Sequence, residues 1–436
     1  MRLPLILAAF AALSACAPPA EVSMDQPQSG VGFGTLGTAP VATAPLGLAS
    51  LARNFMDLTF AMESGYALST VTRFEGPITV AMIGDVPPTA ARDLGDLLTR
   101  LQTEAGIDIR PVSGAGRITI EFTSRAELRR LAPTAACFVV PNVSSLAQYR
   151  QLHGTAAVDW AQVTERKSAA IFIPADTSPQ EVRDCLHEEL AQAIGPLNDL
   201  YLLADSIFND DNFHSVLTGT DMDILRLTYS PDLHNGMSRA EVAAHLGVSP
   251  NIAAAALPDW ERAIETALGK TGSLSARQAA AERALSMAQN AGWQDSRTAF
   301  SYFALGRLLA GTDPERAFDA FKAASSIYAR LPEGELQVAH VDMQLAAMAL
   351  ASGLSDQAIL LADRAMPVVK RYENYALLAT LMLIKAEALE QLGDATAAAA
   401  LRLDSQPYAS YGFGPDSVIQ DRMRDIASVA NRATTG

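Results

Sequence analysis

A chain of 436 residues with 49% apolar side chains has material for two or three domains, each with an ordinary core. Its 48 acidic side chains outnumber 33 basic ones and leave a net charge of −15, with no basic stripe. That excludes counterion exchange with nucleic-acid phosphates and disfavours docking on an anionic lipid surface.

Met1-Arg2 and the apolar run to Leu13-Ser14-Ala15-Cys16 form a basic segment, a short hydrophobic segment and a small-residue cleavage site. The run resembles the lipobox of bacterial lipoproteins. The resemblance implies that residues 1–15 are a signal peptide and that Cys16 is acylated, so that lipid chains of the palmitate kind tether the protein. An ordinary secretory signal peptide is the alternative. Ala17 rather than Asp after the cysteine implies, by the same analogy, outer-membrane sorting in a Gram-negative bacterium, with the body facing the periplasm. No later stretch approaches the roughly 20 apolar residues of a membrane helix. Residues 16–45 are rich in Pro, Gly, Ala, Ser and Thr and read as a flexible tether. With Cys16 lipidated, Cys137 and Cys185 remain, and an oxidising periplasm permits them to pair. Two buried thiols are the alternative, since Cys137 lies in the apolar run 135–140.

Residues 46–245 alternate strand and helix signals. Ile78–Ile83 reads as a strand, and Pro87-Pro88-Thr89 opens a helix to about Ala105, with Leu94, Leu97, Leu98 and Leu101 at helical spacing. Strands follow near 107–112, 117–122, 136–141 and 169–173. Ser178-Pro179 then caps a helix carrying Cys-Leu-His-Glu-Glu-Leu-Ala-Gln-Ala-Ile-Gly-Pro-Leu-Asn-Asp at 185–199. On that helix Glu188, Gln192 and Gly195 share one side, while Leu186, Leu190 and Ala193 line the other.

The spacing Glu188-Glu189-x-x-Gln192-x-x-Gly195-x-x-Asn198 resembles the HExxHxxGxxH motif of zincins, with imidazole missing from all three ligand slots and glutamate kept, at Glu189, in the general-base slot. Asp205–Asp211 and Leu217–Tyr229 resemble the turn and closing helix of metzincins, with Ile207-Phe208 in place of the usual methionine and tyrosine. The same residues resemble more closely the domain-of-unknown-function 2927 family of proteobacterial predicted lipoproteins, over about residues 50–240. That family carries no activity over. The resemblance implies an α+β zincin-like domain with a degenerate metal site.

Oxygen and amide donors disfavour zinc and suit calcium or magnesium better, with Asn198, Asp199, Asp210 and Asp211 as contributors; the baseline expectation is no cofactor. The blander reading makes Glu188, Gln192, Asn198 and Asp199 a structural hydrogen-bond network. His187 begins a false HExxH, since its second histidine slot is Ala191, and it reads as a surface or helix-flank residue. His214 lies on a later loop from which it could swing toward the cleft. No Gly-x-Ser-x-Gly elbow, Walker loop or dinucleotide fingerprint is present.

Residues 246–269 read as a connecting segment, and 270–436 as all-α, resembling tetratricopeptide repeats. Leu305-Gly306-x-x-Leu309 with Ala317, Phe321 and Ala324 recurs 41 residues later as Ala346-Ala347-x-x-Leu350 with Ala358, Ala362 and Ala365. A weaker copy runs through Ala386, Leu389, Leu392-Gly393-Asp394 and Ala397, and a generic helical bundle is the alternative. The expected function is that of a non-catalytic binding or scaffold lipoprotein of the cell envelope. A relic peptidase cleft would take a peptide, and the repeats a protein partner. The alternative is an active hydrolase using Glu189 as general base with an unconventional metal. A third reading places all function in the repeats.

Overall fold

The computed structural model describes residues 47–209, 211–250, 258–269, 271–332 and 334–431, so the lipidation site Cys16, the tether and Asp210 lie outside the described residues. The α/β part runs α1 (Leu48–Thr59), β1 (Ile78–Gly84), α2 (Ala90–Glu104), β2 (Ile109–Pro111), β3 (Ile118–Thr123), α3 (Arg125–Arg129), β4 (Phe138–Pro141), α4 (Leu146–Leu152), β5 (Ala169–Pro174), α5 (Pro179–Ile194), α6 (Gly219–Thr228) and α7 (Arg239–Leu246).

The five strands form one sheet in the order β2-β1-β3-β5-β4. β2, β1, β3 and β5 are parallel, and β4 closes the edge antiparallel to β5. A parallel strand covered on both faces needs an unbroken apolar run, and β5 supplies one, Ala-Ala-Ile-Phe-Ile-Pro, buried throughout. Ala169, Ile171 and Ile173 enter the core shared with α2 and α5, while Ala170 and Phe172 face Leu128, Val140 and Leu146 on the other side. The structure joins Cys137, just ahead of β4, to Cys185 on α5 by a disulfide with Cα atoms 6.0 Å apart.

The helical part contains α8 (Pro258–Leu268), α9 (Leu274–Asn290), α10 (Ser296–Leu309), α11 (Pro314–Tyr328), α12 (Glu335–Ala351), α13 (Ser355–Arg371), α14 (Tyr375–Gln391), α15 (Ala395–Phe413) and α16 (Asp416–Ala430). Successive helices pair as hairpins. α8 lies within the stretch read as a connector, yet it packs on α9 and α10, with Trp260 fully buried and donating from Nε1 to Ser301 Oγ at 3.0 Å. The small and large residues of the first hairpin interlock: a Cβ on Gly306 would lie 2.8 Å from the Phe321 ring. The next two hairpins turn at Gly353 (φ 72°) and Gly393 (φ 85°), in the left-handed region that favours glycine. Among the described residues no helix is long and apolar enough to cross a membrane.

The two parts share an extensive interface. α10, α12 and α14 bury nearly every position, which requires cover on two sides. The hairpin partners supply one side; the loop after α5 supplies part of the other for α10 and α12, and α14 packs on α12 and α16. Phe213 enters the helical core, its ring 5.2 Å from Phe303 and 4.4 Å from His340. Tyr201 packs edge-on against Trp260 at 5.1 Å, and its carbonyl accepts from Ser296 Oγ at 2.6 Å. Gln337 donates to the carbonyl of Ala204.

Two stability tests follow from this architecture. The disulfide spans 48 positions of chain, and its reduction should cost roughly 2–4 kcal/mol, read as a lower urea midpoint with reductant than without. Phe213→Ala should cost about 3–5 kcal/mol. Hydrogen exchange should then quicken in both the loop at 201–217 and α10, because Phe213 seats that loop in the helical core.

Candidate functional site

α5 begins as its sequence dictates, with Ser178 Oγ accepting the Glu181 N–H at 3.2 Å and proline in the first turn. Leu186, Leu190 and Ala193 are fully buried on its back, as the helical wheel places them. Gly195 ends it. A Cβ there would lie 2.5 Å from Leu225 Cδ2, so glycine is what lets α6 pack against this end of α5.

Two of the three side chains at the positions that resemble ligand slots engage other segments. Gln192 Nε2 donates to Glu63 Oε1 at 2.8 Å, and Asn198 Nδ2 donates to the carbonyl of Asp57 at 3.1 Å. Glu188 and Asp199 are half-buried. Both amides thus engage the segment that follows α1, which is pinned across the front of the helix where the Glu63 N–H donates to Leu197 O at 3.2 Å. Sequence reasoning missed Glu63, which lies 129 positions from Gln192 and carries no local signal. The residues do not fit a zinc ion: imidazole is absent from all three positions, and the side chains of Gln192 and Asn198 are held by Glu63 and the Asp57 carbonyl. Among the described residues no three His, Cys, Asp or Glu side chains are grouped to hold a metal. Asp211, one of the oxygen donors named for calcium, instead holds its own turn, accepting from the Phe213 N–H and from Asn209 Nδ2, each at 3.0 Å.

Glu189 is 4% exposed, and its Oε2 has no hydrogen-bond partner. Burial first, then the carboxylates of Glu188 and Glu63, push its pKa well above the ordinary glutamate range. The residue in the general-base slot is therefore held toward its neutral acid form. A protonated carboxyl cannot take a proton from water.

His187 is not the surface residue its wheel position suggests. It is 4% exposed, and its Nδ1 accepts the Leu217 N–H at 3.0 Å, tying α5 to the chain entering α6. Burial, with Arg100 and Arg183, holds it well below the usual histidine pKa, so it is a neutral imidazole with its proton on Nε2. The misreading has a physical cause: α5 is covered on almost every side, so it has no free flank. His214 does not swing toward the cleft. Its Nε2 lies 2.9 Å from Ala204 O and its ring packs on Tyr372, with burial lowering its pKa to about 4.

The downstream motif residues form one buried network. Asp221 accepts from Ser206 Oγ at 2.5 Å, from the Thr218 N–H at 2.7 Å and from the Ile207 N–H at 3.1 Å, closing a capping box on α6. Asp205 joins it by accepting from Thr220 Oγ1 at 3.0 Å. The last carbonyls of α5 are satisfied by Tyr229, which closes the downstream motif, and by Arg166, which the sequence did not single out. Arg166, fully buried and stacked 5.0 Å from Trp160, donates to Gln192 O at 2.7 Å and Ala193 O at 2.8 Å. The Tyr229 hydroxyl donates to Ile194 O at 2.9 Å.

A family model described as "Protein of unknown function (DUF2927)" matches residues 48–247. The match runs from α1 to α7 and supports the family resemblance of the α/β part. No curated protein and no solved structure matches the chain significantly.

The state of Glu189 sets a sign for pH dependence. Its folded pKa is raised, so as pH climbs past the ordinary glutamate value the unfolded chain loses this proton while the folded chain keeps it, and stability falls. Glu189→Gln removes that loss. The variant should gain over wild type by roughly 1–2 kcal/mol more at pH 8 than at pH 5, measured by urea denaturation at both. An equal difference at the two pH values would show that Glu189 titrates normally.

Proposed function

We propose that this protein is a lipid-anchored, periplasm-facing component of the cell envelope that binds without catalysing, on a zincin-like scaffold whose metal site is gone. The observation that carries this reading is the divergence of the ligand slots, Gln192 to Glu63 and Asn198 to Asp57 O, with Glu189 buried as an unpartnered acid. The scaffold resemblance is supported by four parallel strands with one antiparallel edge strand, followed by the motif helix and a capped closing helix. Half-buried Glu188 and Asn198, with exposed Glu63 beside Gln192, leave a polar face at this end of α5, suited to recognition of a peptide or other extended ligand.

The tetratricopeptide-like reading of the second part is supported by hairpins recurring from Ser296 to Phe413 and by the Gly306–Phe321 interlock. Part of its surface serves the α/β part in cis. A groove of about 500 Å³ between α11, α12 and α13, lined by Val338, Ala339, Asp342, Arg364 and Val368, lies elsewhere on the array and suits a protein partner. Such a surface binds more readily than it catalyses.

Metal content and proteolysis separate this reading from an active hydrolase. After extensive dialysis the full chain should carry far less than one equivalent of zinc, and cleavage of unstructured peptides should be no faster in wild type than in Glu189→Gln. Stoichiometric metal, with hydrolysis lost in that variant, would overturn the proposal. Mass spectrometry of the membrane fraction should find diacylglycerol on Cys16, lost in Cys16→Ser.

A further inference from the structure

We propose that the loop at 201–217 is an acid-released clasp: protonation of His214 and His340 unseats it from α12 and bares the apolar face of the helical part beneath it.

The chain has six histidines, and His153, His234 and His245 lie at the surface. The other three rings are buried, and all three converge on this one loop. His187 accepts the Leu217 N–H at 3.0 Å, holding the loop's last residue. His214 belongs to the loop, its side chain 1% exposed. His340, on α12, is 5% exposed and sets its ring 4.4 Å from that of Phe213. Phe213 is the apolar anchor, with Phe300, Phe303 and Tyr328 around it at 5.8, 5.2 and 6.1 Å.

An imidazolium is poorly received on every side of this interface. His214 Nε2 lies 2.9 Å from the Ala204 carbonyl, which also accepts from Gln337 of α12. The Asp205 carboxylate comes no closer than 3.9 Å and already accepts from Thr220 Oγ1. After α13 the Tyr372 ring packs on His214, and the Tyr372 hydroxyl donates to Glu335. His340 Nε2 has no hydrogen-bond partner. Arg307 of α10 adds positive charge near it, and α11 contributes the Tyr328 hydroxyl, which feels Asp211. A proton on His214 also repels one on His340.

The sign of the pH effect follows. Burial holds His214 at about 4, and burial, then the charges of His214 and Arg307, hold His340 at about 3. Released into water, each ring takes a proton near pH 6.5. The released loop therefore binds protons that the seated loop refuses. Seating is at full strength above about pH 7.5 and weakens as pH falls from about 6.5 toward 4, roughly tenfold per unit for each ring. Withdrawal of Phe213 exposes Phe300 and Phe303 on α10, an apolar face of the kind that partners cover.

Hydrogen exchange of the full chain reads the release, as protection factors corrected for the intrinsic pH dependence of exchange. Protection at 201–217 should fall roughly a thousandfold from pH 7.5 to pH 5, about 30-fold from each ring, and at pH 5 the loop should exchange at least tenfold faster than β5. His214→Gln and His340→Gln stay neutral throughout and should each remove about 30-fold of that fall. His187 is unchanged in both, so its share is common to all three proteins. An undiminished fall in the double variant would overturn the clasp. Loop amides exchanging no faster than β5 at pH 5 would do so too, since the molecule then unfolds as one unit. If the variants do not fold, wild type alone decides by nuclear magnetic resonance. The His214 and His340 rings should take up protons only in step with the loss of loop protection, and a ring that titrates near pH 6.5 beneath a protected loop would overturn the proposal.

Discussion

The guanidinium of Arg183 lies over the rings of Tyr375 and Tyr411, at 5.4 and 5.3 Å, and donates to the Glu373 carboxylate at 3.0 Å and to the Glu373 carbonyl at 2.7 Å. Its side chain is 6% exposed, so this charge is tolerable only while the helical part surrounds it. One turn earlier Gln180 accepts the Ala376 N–H at 2.8 Å and donates to Asn374 at 3.2 Å. The first turns of α5 are therefore solvated by another domain. Its last turn is held by Arg166 and Tyr229, and its middle is stapled to β4 through Cys185. α5 acts as a strut between two cores, and the positions of Glu188, Glu189 and Gln192 follow from where that strut is fixed.

This constraint bears on what counts as a domain here. The family match ends at residue 247, but the unit it delimits leaves Arg183, Gln180 and Phe213 facing residues of the helical array. Exposing Phe213 forfeits one large apolar burial, and stripping the partners from Arg183 leaves its two tyrosines and Glu373 without their charge. The interface is a set of buried polar and aromatic contacts between two cores rather than a bare linker between two bodies. A change at residues 373–376 consequently bears on how α5 is held.

The strands, α2, α5, α6 and the recurring hairpins were legible in the sequence because periodicity of 2 or 3.6 and capping chemistry are local properties. Glu63 was not, because its role exists only where a loop after α1 crosses the front of α5. The burial of His187 was not, because a two-sided wheel assumes one wet face, and α5 has almost none. A signal for that was present in α12 and α14, which read as apolar all round and so needed cover on a second face. The resemblance to a peptidase helix was carried by residues whose work in this structure is structural. Gly195 admits Leu225, Asp221 caps α6, and Tyr229 caps α5.

Glu189 is a motif residue to which this structural account gives no role. A glutamine or an apolar side chain of similar volume would fill its space without an orphaned oxygen and without facing two other carboxylates. The helix cannot shift to relieve it, since Arg183 holds one end and Arg166 the other. Glu63 is fixed by its backbone to Leu197, and the molecule as a whole carries −15, which opposes gathering further negative charge. Relief comes from a proton, and keeping that proton costs stability as pH rises.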